Sequence, residues 1–330
     1  MTDTSEFRAP WWLPGGHAQT VFTAMLAPRP AVAWRRERWE TPDGDFIDLD
    51  WAEDRDWGLG NGDSKSLPPL VVLFHGLEGN SASQYARSVM RAVRDRGWRG
   101  VVVHFRGCSG EPNRLPRAYH SGDVEEADWI LARLRTLAGA APLFAVGISL
   151  GGNMLLKWLG ETGAAAGRSL TAGAAVCAPV DLTAAGDALA VGFNRVYTAN
   201  FLVTMKRKTL AKRARYPDLV DWARMDLART LREFDDAVTA PLHGFRDVND
   251  YWTRASAKPV LGGIRVPALM LNALNDPFLP AAVLPAPADV SPALRLEYPT
   301  TGGHVGFVGG APPGRLDWLP ARLLDFFTRV

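Results

Sequence analysis

Gly147-Ile148-Ser149-Leu150-Gly151 sets a serine between two glycines, at the end of one apolar run and the start of another. That spacing suits a nucleophile. A serine projecting from a sharp strand-to-helix turn leaves no room for bulky side chains two residues away, and the helix that follows offers free N–H groups to developing negative charge. The plain alternative is a turn serine with no chemical task. A nucleophilic hydroxyl also needs a base, and the base needs an orienting acid. Asp276 in LMLNALNDPF and His304 in YPTTGGHVGF follow in the order serine, acid, histidine, each just past an apolar run. Singly, Asp276 reads as a turn cap before Pro277 and His304 as a loop histidine. Together with Ser149 they read as a catalytic triad.

Other residues compete for these roles. Asp181 in APVDL also follows an apolar run, where it rivals Asp276 as the acid. The amide of Leu150 and that of Leu77, in LFHGLEGN, are the candidate oxyanion donors, with His75 a structural residue beneath that loop. His120 and Asp123 in AYHSGDVEE read chiefly as fixing the loop before a helix. Lys206, Arg207, Lys208, Lys212, Arg213 and Arg215 read as a solvated helix face, with an anionic lipid head group or an acyl carrier as the other possible use. Trp11 and Trp12 read as packing residues. Cys108 and Cys177 stand apart, without the spacing of a disulfide framework or a zinc site, and no motif asks for a metal or a cofactor.

Those residues need elements to hold them. LVVLFHG (70–76), GVVVHFRG (100–107), LFAVGIS (143–149), AGAAVCAP (172–179), VPALMLNA (266–273) and LRLEYPT (294–300) read as strands, the first four as the continuous runs expected of strands buried on both faces. Helices are expected over 83–96, over 121–137 with Ser121 as N-cap, from Asn153 onward, and at the C-terminus, where Pro320 marks a kink or a boundary. Residues 36–52 read as a hairpin turning at Asp43-Gly44, and 53–68 as a loop. Residues 1–35 are expected to wrap over a preformed body. Alternating strands and helices argue for one α/β domain over 1–330, with a mostly parallel sheet covered on both faces. Residues 181–265 are too long for an ordinary connection and read as an inserted helical lid.

The chain has 330 residues, 47% hydrophobic, with a formal net charge of +2, which supports a large core and argues against nucleic acid as a partner. No secretory signal or membrane-spanning run is visible, so a cytoplasmic protein is expected, with peripheral membrane contact left open.

GGHAQT (15–20), HGLEGNSASQY (75–85), HFRGCSGEPN (104–113), YHSGD (119–123), GISLGGNMLLK (147–157), NALNDPF (272–278) and GGHVGF (302–307) together resemble the YheT/EMB8-like branch of the α/β-hydrolases, which is related to the mammalian ABHD1/ABHD3-type proteins. The resemblance runs over nearly the whole chain. It implies the α/β-hydrolase fold, a Ser149–Asp276–His304 triad, and a carboxylesterase or lipase-like activity on a small-molecule or lipid ester. An acyltransferase using the same triad and a non-catalytic binding protein of the same fold are the alternatives.

Overall fold

LVVLF, at Leu70–Phe74, alternates between two packing layers. Leu70, Val72 and Phe74 face one apolar cluster, while Val71 and Leu73 face another on the opposite side of the sheet. A strand covered on both faces gains from an apolar side chain at every position, which explains the unbroken run. The computed structural model of the chain describes residues 7–52 and 67–330. The expected loop over 53–68 lies outside these residues except for its last two positions.

The first elements are α1 (Gly15–Met25), β1 (Trp34–Glu40), β2 (Phe46–Ala52), β3 (Leu70–Phe74), α2 (Gln84–Asp95) and β4 (Arg99–His104). They are followed by α3 (Val124–Ala138), β5 (Leu143–Ile148), α4 (Leu150–Thr162) and β6 (Ala172–Val176). Helices α5 (Leu182–Leu189), α6 (Asn194–Leu210), α7 (Trp222–Leu227), α8 (Leu231–Phe234), α9 (Ala240–Leu242) and α10 (Val248–Ala255) come next. The chain then returns to the sheet with β7 (Ala268–Leu271) and β8 (Leu294–Glu297), and ends in α11 (Trp318–Thr328).

Among the described residues the strands form one eight-stranded sheet in the order β1-β2-β4-β3-β5-β6-β7-β8. Strands β3 to β8 run parallel; β1 and β2 are antiparallel and form the expected hairpin. Its turn contains Gly44, at φ +82°. All seven residues of β2 are buried, and Arg38 and Arg36 on β1 neutralise the buried carboxylates of Asp48 and Asp50 by paired hydrogen bonds.

Three expectations change in detail. Helix α3 is capped by Asp123, whose carboxylate accepts the Glu126 N–H, and not by Ser121. Ser121 is instead buried, with its N–H donated to Tyr251 and its hydroxyl bonded by Asn153. Pro320 lies in the first turn of α11, where its missing N–H has no intrahelical partner to lose, so it marks a boundary and causes no kink. The N-terminal segment does wrap the body, with Phe7 packed on Phe307 and Trp318, but it also contains α1. Trp12 packs against Phe22 and donates to the Gly310 carbonyl. Trp11 is 90% exposed, contrary to expectation.

The residues between β6 and β7 fold into helices that bury small clusters of their own, one around Leu202, Met225 and Phe234 and another around Val248, Tyr251 and Trp252.

Candidate active site

Strand β5 ends in a backbone reversal. Ser149 has φ +51° and ψ −117°, a conformation rarely adopted by a residue with a Cβ. Its N–H is held by the Val176 carbonyl of β6, and its own carbonyl accepts the N–H groups of Gly152 and Asn153, which starts α4. The two flanking glycines are required by space. A Cβ on Gly147 would lie 2.4 Å from the Gly151 carbonyl oxygen, and one on Gly151 would lie 2.5 Å from that of Phe74.

The hydroxyl of Ser149 lies 2.8 Å from His304 Nε2. On the other side of the ring, His304 Nδ1 is 2.8 Å from Asp276 Oδ2 and 3.1 Å from Oδ1. Asp276 is buried and also accepts the Phe278 N–H at 2.8 Å. Ser149 follows β5, Asp276 follows β7 and His304 follows β8, so one sheet edge delivers all three. The structure therefore joins Ser149, Asp276 and His304 in one hydrogen-bonded chain. Asp181, the rival acid, instead caps α5 by accepting the Ala184 N–H.

Several residues that spacing alone does not reveal hold the histidine. Thr20 on α1 accepts the His304 backbone N–H at 2.9 Å and donates to the Gly16 carbonyl at 2.7 Å. Gln19 accepts the N–H of Gly302 and a side-chain N–H of Asn275. Cys177, at φ +50° just after β6, accepts the Val305 N–H on its sulfur at 3.3 Å. Its sulfur lies within 4.8 Å of side-chain ligand atoms of both Asp276 and His304. Burial, and then the Asp276 charge, push this thiol well above its ordinary pKa, so it stays neutral beside the acid. Phe278 stacks on the His304 ring at 4.0 Å between centroids. The GGHAQT motif carries the signal for Gln19 and Thr20; no local pattern marks Cys177.

Leu150 is the first residue of α4, and Leu77 follows Gly76, where a Cβ would approach the Ser149 Cβ to 3.1 Å. Both line a cavity of about 570 Å³ that Ser149 and His304 also line. Leu182, Leu189, Phe201 and Met205 contribute apolar wall from α5 and α6. The lining also holds a polar group: Glu78 accepts hydrogen bonds from Tyr119 (2.8 Å) and Lys208 (2.9 Å), and Lys208 also reaches the Cys108 sulfur at 3.1 Å.

His75 is fully buried and structural, as expected. Its Nδ1 faces the Gly76 carbonyl and its Nε2 accepts the Phe105 N–H, which ties the loop after β3 to the end of β4. Burial drives its pKa down to about 3, so the ring is neutral. Asp123 pairs with Arg117 besides capping α3, and His120 accepts the Gly122 N–H at 3.2 Å. Both therefore shape the loop before α3, and His120 also lines the cavity.

The basic cluster is not a uniform solvated face. Lys206 donates to the Asp226 and Ala228 carbonyls, Lys208 pairs with Glu78, and Lys212 donates to the carbonyls of Leu115, Pro116 and Arg117. Burial lowers the Lys212 pKa to about 8. Arg207, Arg213 and Arg215 remain exposed.

Residues 69–311 match the family model described as the alpha/beta hydrolase fold. The chain is 42% identical to YheT of Escherichia coli (strain K12), over 94% of this chain and 90% of that one. It is 31% identical to human Phospholipase ABHD3 over 92% of this chain and 73% of the relative. Among solved structures, an esterase of Pyrococcus furiosus superposes with a TM-score of 0.53 at 16% identity, covering 93% of this chain and 98% of the other, which speaks for the fold. With its sheet order, its family match and these relatives, the chain belongs to the α/β-hydrolase family, in the branch that includes YheT and ABHD3.

Proposed function

We propose that the protein is a serine hydrolase that cleaves a carboxylic ester through an acyl-enzyme. The hydrogen-bonded chain from Ser149 through His304 to Asp276, at the wall of a cavity, carries this reading. The esterase and phospholipase names of the relatives agree with it.

Ser149 Oγ attacks the ester carbonyl while His304 Nε2 takes its proton. The Asp276 carboxylate accepts a hydrogen bond from Nδ1–H of His304, which fixes the tautomer that leaves Nε2 free to act, and stabilises the imidazolium that forms. The amides of Leu150 and Leu77 serve as the oxyanion donors. His304 then gives its proton to the leaving alcohol. A water activated by the same nitrogen releases the acid from Ser149. The helices within 181–265 form a lid over the sheet edge and supply the apolar wall for the acyl group.

A p-nitrophenyl ester series of increasing chain length, run beside Ser149→Ala, tests the proposal. Wild type should hydrolyse at least one member, and Ser149→Ala should lose ~10⁴-fold or more in kcat. Equal rates in the two proteins would overturn it.

A further inference from the structure

The exposed side of α6 carries apolar side chains beside the exposed polar residues Arg195, Asn200 and Arg207. Val196, Ala199 and Val203 stand at helical spacing on its open face, with Leu210 further along. Val196 and Val203 are 57% and 66% exposed, and Val191 and Phe193 in the preceding turn are 62% and 53% exposed. The stripe from Val196 to Leu210 spans about 21 Å at the usual helical rise. A surface of this kind on a monomer marks an interaction site.

Its charge is one-sided. Between Asp187 and Asp218 the chain has no acidic residue, while Arg195, Arg207, Arg213 and Arg215 remain on the exposed surface of this segment. Arg195 and Arg207 form no ion pair among the described residues, and Arg213 lies over the Trp222 ring. A second copy of the chain meeting this face would bring like charges together, whereas an anionic surface would neutralise them.

The face is joined to the candidate active site. Asn194, the first residue of α6, donates to the Pro277 carbonyl next to Asp276 at 2.6 Å. Ring contacts lead from Phe193 to Tyr197 (5.7 Å), from Tyr197 to Phe278 (4.9 Å), and from Phe278 to His304 (4.0 Å). Material held at this face is thus three ring contacts from the histidine.

We infer that the α5–α6 turn and the open face of α6 form a docking surface for an anionic phospholipid bilayer. Apolar side chains enter the interface while the arginines meet the head groups. The inference stands apart from the reaction, but it deepens the proposed ester hydrolysis by naming where the substrate is met: at a lipid surface.

Co-sedimentation with vesicles of phosphatidylcholine alone, and of phosphatidylcholine with phosphatidylglycerol, tests it on the full chain. Wild type should sediment with the anionic vesicles and be released as salt is raised. Val196→Ser with Val203→Ser should weaken partitioning at least roughly tenfold. Arg195→Gln with Arg213→Gln should weaken it about 30-fold, from about 1 kcal/mol per basic residue. Hydrolysis of p-nitrophenyl acetate should be unchanged in both double variants, which shows that they are folded. Failure of wild type to sediment with either vesicle overturns the inference, as does binding indifferent to both pairs of substitutions. Concentration-dependent dimers abolished by the valine pair would also overturn it, by assigning the face to a second copy. Loss of esterolysis in wild type bears on the proposed reaction alone, because the vesicle result does not depend on turnover.

Discussion

At the scale of single residues, the triad reading makes Asp276 an orienting acid and not a proton carrier. Asp276→Asn keeps the shape but removes the acceptor that selects the His304 tautomer, so kcat should fall by ~10⁴ with KM little changed. Steady-state kinetics on a soluble ester would show this. Thr20 acts one step further out. Its hydroxyl accepts the His304 N–H at 2.9 Å across 284 residues of sequence. Thr20→Val leaves that N–H without its acceptor and should lower kcat about tenfold, a cost within the usual range for an unmade buried hydrogen bond. Thr20→Ser, which keeps the acceptor, should stay near wild type. If Ser and Val behave alike, the hydroxyl does not position the histidine.

At the scale of elements, α4 is anchored by one side chain. Asn153 Nδ2 reaches the Ser121 carbonyl and hydroxyl and the Ala255 carbonyl, while its Oδ1 accepts the Ala257 N–H. It thus joins the helix after Ser149 to the start of α3 and to the end of α10. Asn153→Leu strands these groups in the interior and should cost about 3 kcal/mol or more of stability, read from urea denaturation midpoints. The central strands were legible in the sequence because burial on both faces writes a continuous apolar run, as in Leu70–Phe74. Helix α1 was not. It opens on two glycines and buries Gln19, Thr20 and Thr23, while the residues at apolar helical spacing, Ala18, Val21, Phe22 and Met25, are only partly buried or exposed, so its inward face is not the one an apolar pattern marks. The grouping of Ser149, Asp276 and His304 was legible because their chain order and loop positions are fixed by the sheet. Its supports were not: Cys177 reaches Val305 across 128 residues, and Asn153 reaches Ala257 across 104. Neither pairing leaves a local pattern. The basic cluster misled for a related reason. Lysines that cap carbonyls of another segment look, in sequence, like lysines in water.

At the scale of the whole molecule, two largely covered histidines weaken the fold as pH falls. The rings of His120, before α3, and His243, after α9, lie 4.5 Å apart between centroids and tilted by 57°, and burial lowers their pKa values to about 4 and about 3. A histidine whose folded pKa is depressed binds its proton in the unfolded chain first. Its stabilising effect is complete above about pH 6.5 and is lost as pH falls toward the folded value. For His243 that loss between pH 7 and pH 5 is about 2 kcal/mol. The stability difference between wild type and His243→Gln should therefore shift by about that amount between the two pH values, in favour of the variant at pH 5. Urea denaturation at each pH measures it, and a constant difference would mean that the ring is already solvated. The same burial keeps both rings neutral near pH 7.

The central claim is that Ser149 is an activated nucleophile. A fluorophosphonate probe, which forms a covalent bond only with an activated serine, followed by peptide mass spectrometry, measures this directly. A single adduct on Ser149 is predicted, absent from Ser149→Ala and formed far more slowly in His304→Ala. Equal labelling of wild type and Ser149→Ala, or no labelling of wild type, would contradict it.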